Sequence, residues 1–518
     1  MAWYDDSEQP KARAEAASIA GAFAARGITI GGVLTEDGWI EYMYAEDQFL
    51  AREQYLESIR QVLERQRFQE VSTTRVIRDI VLLEVQPSPG SGDKPPDAAA
   101  EGAAGEGRPA EDAAGEGRPA EGAAGEGRPA EGAAGEGRPA EGERPRPPLV
   151  RLLDEIDAVL SPGIATLNHV VTTSNGSPCG CPATEPQEVY DPTPYPPLCQ
   201  GNGGDGVRIW VADTGFVTST VSGCTWLNGV TGDPDPSVDS SSGTIQTYGG
   251  HGTFVAGVIR AMAPGANIVV KCVFETAGSA LESEFVPKLH EGFGFGADIF
   301  HITVASQTRN NFPLMAFEAW LEDLHSHKGV ACVVPAGNNS SRQPCWPAAF
   351  PSVISVGALA TDWRSRAYFS NFGGWVDVYA PGESLVNAFA TGTFTCLIPP
   401  FTDQVRTFSG MAQWSGTSFS TPIVTGLIAA RMTRCGESAK EAATALMAEA
   451  RAQVIPGVGP VLLPGCDGDG EPCRRCDCRH CRCGCGLSDG CSCGRHGHGG
   501  GCGCGCGGDH RGHGRMPR

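Results

Sequence analysis

Apolar and polar positions divide the chain into two α/β stretches, a polar repeat that interrupts the first, and a tail almost without large side chains. In the first stretch Trp39-Ile-Glu-Tyr-Met-Tyr44 alternates as a strand does. Ala45 to Arg67 then carries Leu50, Tyr55, Ile59, Val62 and Leu63 at helical spacing, and Val76 to Val85 reads as a second strand. Beyond the repeat, Leu149, Leu152, Leu153, Ile156 and Leu160 predict a helix, and Ala165 to Thr172 a strand. The second stretch predicts strands at 207–212, 268–273, 299–304, 330–335, 353–358 and 376–379. Helical patterns at 252–262, 281–292, 315–327 and 419–433 separate several of them. Such alternation argues for a largely parallel sheet with helices on both faces. Ligands of such sheets bind at the carboxyl ends of the strands.

The repeat sets the boundaries. Gly-Glu-Gly-Arg-Pro-Ala-Glu recurs from Gly105, Gly115, Gly125 and Gly135, with no large apolar residue to build a core. The expected behaviour is a solvated tether. The expected organisation is a small α/β unit in two parts, 1–85 and 148–175, split by a linker at 86–147. A connector at 176–205, a main α/β domain at 206–456 and a Cys/His/Gly-rich, disordered tail at 457–518 follow.

Candidate chemistry lies in the main domain. Gly416-Thr-Ser-Phe-Ser-Thr-Pro422 precedes an apolar run, which places Ser418 where a loop enters a buried helix. Pro422 suits that helix's first turn. Backbone N–H groups at a helix start favour negative charge, as a nucleophile that creates an oxyanion requires. The apolar run Val207 to Ala212 ends in Asp213-Thr-Gly215, and Gly250-His-Gly-Thr253 opens a helical pattern. An Asp, a His and a Ser so placed are the parts of an activated hydroxyl nucleophile.

With these residues the chain closely resembles the subtilisin-like serine peptidases. Asp213-Thr-Gly215, His251-Gly-Thr253 and Gly416-Thr-Ser418 stand for the family's three signatures, in its order. Val333-Val-Pro-Ala-Gly-Asn338 resembles the segment whose Asn supplies an oxyanion-hole amide. The resemblance covers roughly Gly206 to Gln453. It implies a serine endopeptidase in which Ser418 attacks, His251 is the base, Asp213 orients it and Asn338 holds the oxyanion. Thr303, Val304, Ala305, Ala336 and Gly337 would line the substrate, and the partner would be a peptide or protein. It also implies that the split unit is propeptide-like and restrains the enzyme, an accessory domain with no inhibitory role being the alternative. Calcium often stabilises the family, and no cofactor takes part in its chemistry. Departures are Phe254 where many members carry a second His, Phe419-Ser420 for the commoner Met-Ala, and a long segment from Phe394 to Trp414. A catalytically silent, peptide-binding relative is the alternative reading, as is a chain whose metal-binding tail is the main functional module.

Composition narrows the rest. The formal net charge of −21 argues against a nucleic-acid surface. No apolar run is long enough to cross a membrane. The acidic start of the chain lacks the basic region and apolar core of a signal peptide, so a cytoplasmic protein is expected, with secretion by a non-standard route as the alternative. Of 21 cysteines, twelve lie from Cys466 onward. Cys473, Cys476, Cys478, His480 and Cys481 have the density of soft-metal ligands such as those of zinc, or of a redox-sensitive tail. Cys272 and Cys332 sit in apolar strand patterns and read as small buried hydrophobes. Oligomeric state is not legible.

Overall fold

The computed structural model of the protein describes residues 8–35, 40–89, 146–173, 183–274, 277–397 and 400–465. The repeat and the tail cysteines and histidine named above lie outside them. The N-terminal unit contains α1 (Glu8–Ala24), β1 (Ile30–Leu34), β2 (Ile40–Arg52), α2 (Leu56–Arg65), β3 (Phe68–Ile77), β4 (Ile80–Pro87), α3 (Pro148–Val159) and β5 (Ala165–Thr172). Two expectations are corrected here. The strand that begins at Ile40 runs on to Arg52, so the helix starts only at Leu56. Phe49, Leu50 and Ala51 are buried by pairing with β4 and β5, which overrides their helical spacing. The apolar run 76–85 is a hairpin, broken where Arg78 takes a positive φ of 49°.

The main domain continues with β6 (Arg208–Asp213), β7 (Thr231–Gly232), β8 (Val238–Asp239), β9 (Thr244–Ile245), α4 (His251–Met262), β10 (Asn267–Cys272), β11 (Ser279–Leu281), α5 (Glu282–Lys288), α6 (Glu291–Phe295) and β12 (Ile299–Ile302). Then come α7 (Met315–Ser326), β13 (Ala331–Pro335), β14 (Ile354–Leu359), β15 (Val378–Pro381), β16 (Leu385–Thr395), β17 (Val405–Trp414), α8 (Thr417–Cys435) and α9 (Ala439–Ala452). Seven strands form a parallel sheet in the order β15-β14-β13-β12-β6-β10-β7. Period-two alternation along β6 assigns its two faces. Ile209 and Val211 pack with α4, α8 and α9, whereas Trp210 and Ala212 pack with α5 and α7. Helices therefore cover both faces, as expected. Cys332 is buried in β13, and burial pushes its thiol well above the ordinary range. Among the described residues no helix is long and apolar enough to cross a membrane.

The two units share a sheet. Strand β5 pairs antiparallel with β2 on one side and with β11 of the main domain on the other, in the register Ser279 with Thr172, Ala280 with Val171 and Leu281 with Val170. Every residue of β5 is buried. Val171 joins Leu50, Ile77 and Ile80 of the N-terminal unit to Phe285 and Ile302 of the main domain in one apolar cluster. Arg309, 2% exposed, reaches across to Asp154 and Asp157 of α3.

Candidate active site

Three element ends converge at the carboxyl edge of the parallel sheet. Asp213 is the last residue of β6, His251 the first of α4 and Ser418 the second of α8. The approach is tight because Gly250 turns the chain at φ 82° and Gly252 carries no side chain. A Cβ on Gly252 would lie 2.4 Å from the Gly215 carbonyl oxygen. Pro422 falls in the second turn of α8 and not the first, since the helix begins at Thr417. It therefore removes the N–H that would bond the carbonyl of Ser418.

His251 Nδ1 lies 2.8 Å from Asp213 Oδ1, and both side chains are inaccessible to solvent. Asp213 Oδ1 also accepts the Thr214 N–H at 2.7 Å, and Oδ2 accepts the Thr303 hydroxyl at 2.6 Å. Burial works against its charge. The neighbouring imidazole and these hydrogen bonds outweigh burial and hold the carboxyl below its usual range. His251 Nε2 has no hydrogen-bond partner among the described residues. The Ser418 hydroxyl is turned instead to the carbonyl of Thr173, at 3.0 Å. Asn338 accepts the Thr417 N–H on Oδ1 at 2.7 Å. That orients its Nδ2 toward Gly416, where a Cβ would stand 3.7 Å from it.

The chain that enters this cleft is β5 and the residue after it. Thr172 exchanges both backbone hydrogen bonds with Ala305, at 3.3 and 3.0 Å, and the Thr173 N–H donates to the Gly278 carbonyl at 2.9 Å. Of the expected substrate wall, Ala305 meets this segment directly. Thr303 sends its hydroxyl to Asp213, and Val304 is buried in the core between the units. Ala336 and Gly337 spend their backbone groups on Val356, Asn371 and the Thr417 hydroxyl.

Sequence reasoning missed the other wall, Gly278 to Leu281. Three residues of strand after a glycine leave no periodicity to detect. It also missed Asp235, whose carboxylate accepts the Gly250 N–H at 2.8 Å, the Thr214 hydroxyl at 2.9 Å and the Ser237 N–H at 2.9 Å. Asp235 thereby ties the Asp213 turn to the start of the His251 helix. Burial pushes its carboxyl up to about 6 against the pull of those donors. His301, also buried, bonds Thr425 through Nδ1, and burial drives its imidazole down to about 3, so it is neutral. Among the described residues no group of three or more His, Cys, Asp or Glu could hold a metal ion.

Residues 204–456 match the sequence model of the subtilase family. The chain is 28% identical to an alkaline proteinase of Hapsidospora chrysogena over 51% of its own length and 59% of that protein. It is 30% identical to a thermophilic serine proteinase of Bacillus sp. (strain AK1) over 35% and 41%. Thermitase of Thermoactinomyces vulgaris is 29% identical over 51% of this chain and 86% of its own. The chain thus spans less than two thirds of the first two of these proteins.

Proposed function

Residues 204–456 belong to the subtilase family, and from that premise we propose that the chain is a serine endopeptidase. Ser418 attacks a peptide carbonyl, and His251 takes its proton through Nε2 and passes it to the leaving amine. Asp213 holds the imidazole tautomer through Nδ1 and stabilises its charged form. Asn338 Nδ2 and the Ser418 N–H hold the oxyanion. These roles are the family's, carried onto matching residues. The single observation that carries the reading is the Ser418 hydroxyl lying 3.0 Å from a backbone carbonyl, beside a buried Asp213–His251 pair. Cleavage of a peptide library by the chain and by Ser418→Ala tests it. Activity that survives Ser418→Ala refutes the nucleophile. No cleavage by either leaves a silent peptide binder.

We further propose that the N-terminal unit restrains the enzyme and is removed by a cut at the first peptide bonds beyond Thr173. The support is that β5 runs into the cleft as an added strand and ends with the Thr173 carbonyl on Ser418. The wild-type chain should accumulate as a shortened form whose new N-terminus lies close after Thr173, and Ser418→Ala should stay full length. A wild type that is full length and fully active refutes the restraint.

A further inference from the structure

The three departures from the family pattern meet in space. Phe254 and Phe419 pack with ring centroids 4.6 Å apart and planes tilted by 55°. Trp414, from the end of the long β16–β17 hairpin, packs against Phe419 at 5.0 Å and Phe254 at 5.9 Å. His251 closes the group. Its ring is 5.5 Å from Trp414, edge to face, and 5.2 Å from Phe419. All four side chains are buried. The His251 imidazole is thus held by a carboxylate at Nδ1 and by the rings of Trp414 and Phe419.

Trp414 is itself held from outside the main sheet. Its indole N–H donates to the carbonyl of Thr184 at 2.6 Å. Residues 184–195 then ride along the hairpin. Gln187 and Gln413 exchange backbone hydrogen bonds at 2.8 and 2.9 Å, as do Tyr195 and Val386. The Leu397 N–H donates to Glu185 and the Thr407 N–H to Glu188, both at 2.6 Å, and Arg406 donates to the Pro186 carbonyl at 2.8 Å. The stretch that sequence composition marks as a connector is therefore a strap, tied by two isolated bridges and by these side-chain contacts to the hairpin that carries Trp414.

We infer that Trp414 is a positioning residue for His251 and that residues 184–195 belong to the active enzyme through it. The inference rests on the peptidase reading. It goes further, because a maturing cut must fall between Thr173 and Thr184. A cut beyond Tyr195 would release the strap and loosen the imidazole. Near-attack geometry explains the sensitivity, since a displacement of about 1 Å at a reacting group costs about 10²-fold in rate.

Each variant is expressed as the full chain, and its kcat and KM are read on the shortened form once the N-terminal unit has been removed. Trp414→Ala should lower kcat by about 10²-fold with KM changed by less than about threefold, because the peptide is bound elsewhere, along β11 and Ala305. Trp414→Phe should recover most of the loss by restoring the ring, remaining about tenfold down for want of the indole N–H. Gln187→Pro, which deletes the N–H donated to Gln413, should fall by a similar factor. The double variant should be little worse than either single, since both free the same ring. Phe317→Leu, on the opposite face of the sheet against Trp320 and Phe350, should lower Tm and leave kcat within about twofold. An unchanged kcat in Trp414→Ala, or an equal fall in Phe317→Leu, reduces Trp414 to ordinary core packing. Multiplying losses in the double variant overturn the role of the strap. If Trp414→Ala fails to fold, Trp414→Phe and Gln187→Pro decide, and wild-type kcat in both overturns the inference. The Nδ1–H proton resonance of His251, read on Ser418→Ala with and without Trp414→Phe, makes the test independent of turnover. It should shift or broaden, and an unchanged resonance counts against the inference even if the chain proves not to be a peptidase.

Discussion

On the proposed mechanism Asp213, His251 and Ser418 act as a unit in which each group is useful only through the next. Ser418→Ala should therefore lower turnover on the order of 10⁶-fold, a size carried over from subtilisin itself, and adding His251→Ala should cost little more. Asn338→Ala should keep measurable activity, reduced about 10²- to 10³-fold, again the size known for subtilisin's oxyanion Asn. Equal, modest losses in all three, measured as kcat on a peptide, would contradict such a unit. A second residue-scale prediction concerns Glu282, which is fully buried at the start of α5 and accepts the Ala316 N–H at 2.6 Å. Its Oε2 has no hydrogen-bond partner among the described residues. Burial pushes its carboxyl up to about 8, against the pull of backbone donors from Ala316 and Phe317. A raised carboxyl pKa means that the folded chain holds a proton the unfolded chain has already lost, over the window from about 4.3 to 8. Stability should fall with rising pH across that window, by up to about 1.4 kcal/mol per pH unit, and level off above it. Glu282→Gln mimics the protonated form. Its unfolding free energy should fall less steeply over the same range and exceed that of the parent at pH 9. Denaturant melts at pH 5, 7 and 9 check this.

At the scale of elements, Arg309 is the buried cation in the docking of the N-terminal unit, beside the more exposed pairs of Arg26, Arg52 and Arg78 with Glu284, Glu318, Glu322 and Asp323. Arg309 lies in the main domain, and the carboxylates that meet it, Asp154 and Asp157, lie on α3. Removing one partner of a buried ion pair costs about 3–5 kcal/mol; here the loss falls on Asp157, since Asp154 keeps its pair with Arg146. Arg309→Ala should therefore release the N-terminal unit early, and the shortened form should appear at least tenfold faster in a time course followed by gel. An unchanged time course would place the docking energy in β5, the shared apolar cluster and the more exposed ion pairs. The elements themselves were legible where periodicity and punctuation agree. The strand ending at Asp213, the helix opening at His251 and the strand Ala165 to Thr172 stand within a residue of their expected bounds, because buried strands and helix starts are local decisions. What was not legible depends on partners distant in sequence. Residues 45–52 became strand because β4 and β5 flank them. Gly278 to Leu281 became a strand only because β5 lies beside it. Thr303 looked like a wall of the cleft, and only the fold reveals its hydroxyl on Asp213. Ser418 was legible as a helix-start residue, and the aromatic partners of His251 were not, because they come from a hairpin that no local pattern announced.

Across the whole molecule, one strand is shared between two units that would part on maturation. In the intact chain β5 satisfies the edge of β2 and the edge of β11 together. An unpaired edge is an open row of donors and acceptors, which is what an extended peptide needs in order to bind by strand addition. On the proposed reading, substrate would bind the edge that β5 occupies, and the protein could not use it for both at once. This gives a measurable contrast in amide hydrogen exchange. In full-length Ser418→Ala the amides of Ser279 to Leu281 and of Thr172 to Thr173 should be protected to a similar degree, because opening one requires opening the other. In the shortened wild type, freed of the N-terminal unit, the amides of Ser279 to Leu281 should exchange orders of magnitude faster. The central strands β6, β12 and β13, each paired on both sides, should keep their protection. Adding a peptide that spans the sequence Val170 to Thr173 to the shortened Ser418-blocked enzyme should restore slow exchange at Ser279 to Leu281 and at Ala305. Fast exchange at β11 in the full-length Ser418→Ala chain would mean that β5 does not hold this edge in solution. The restraint would then have to come from elsewhere on the N-terminal unit.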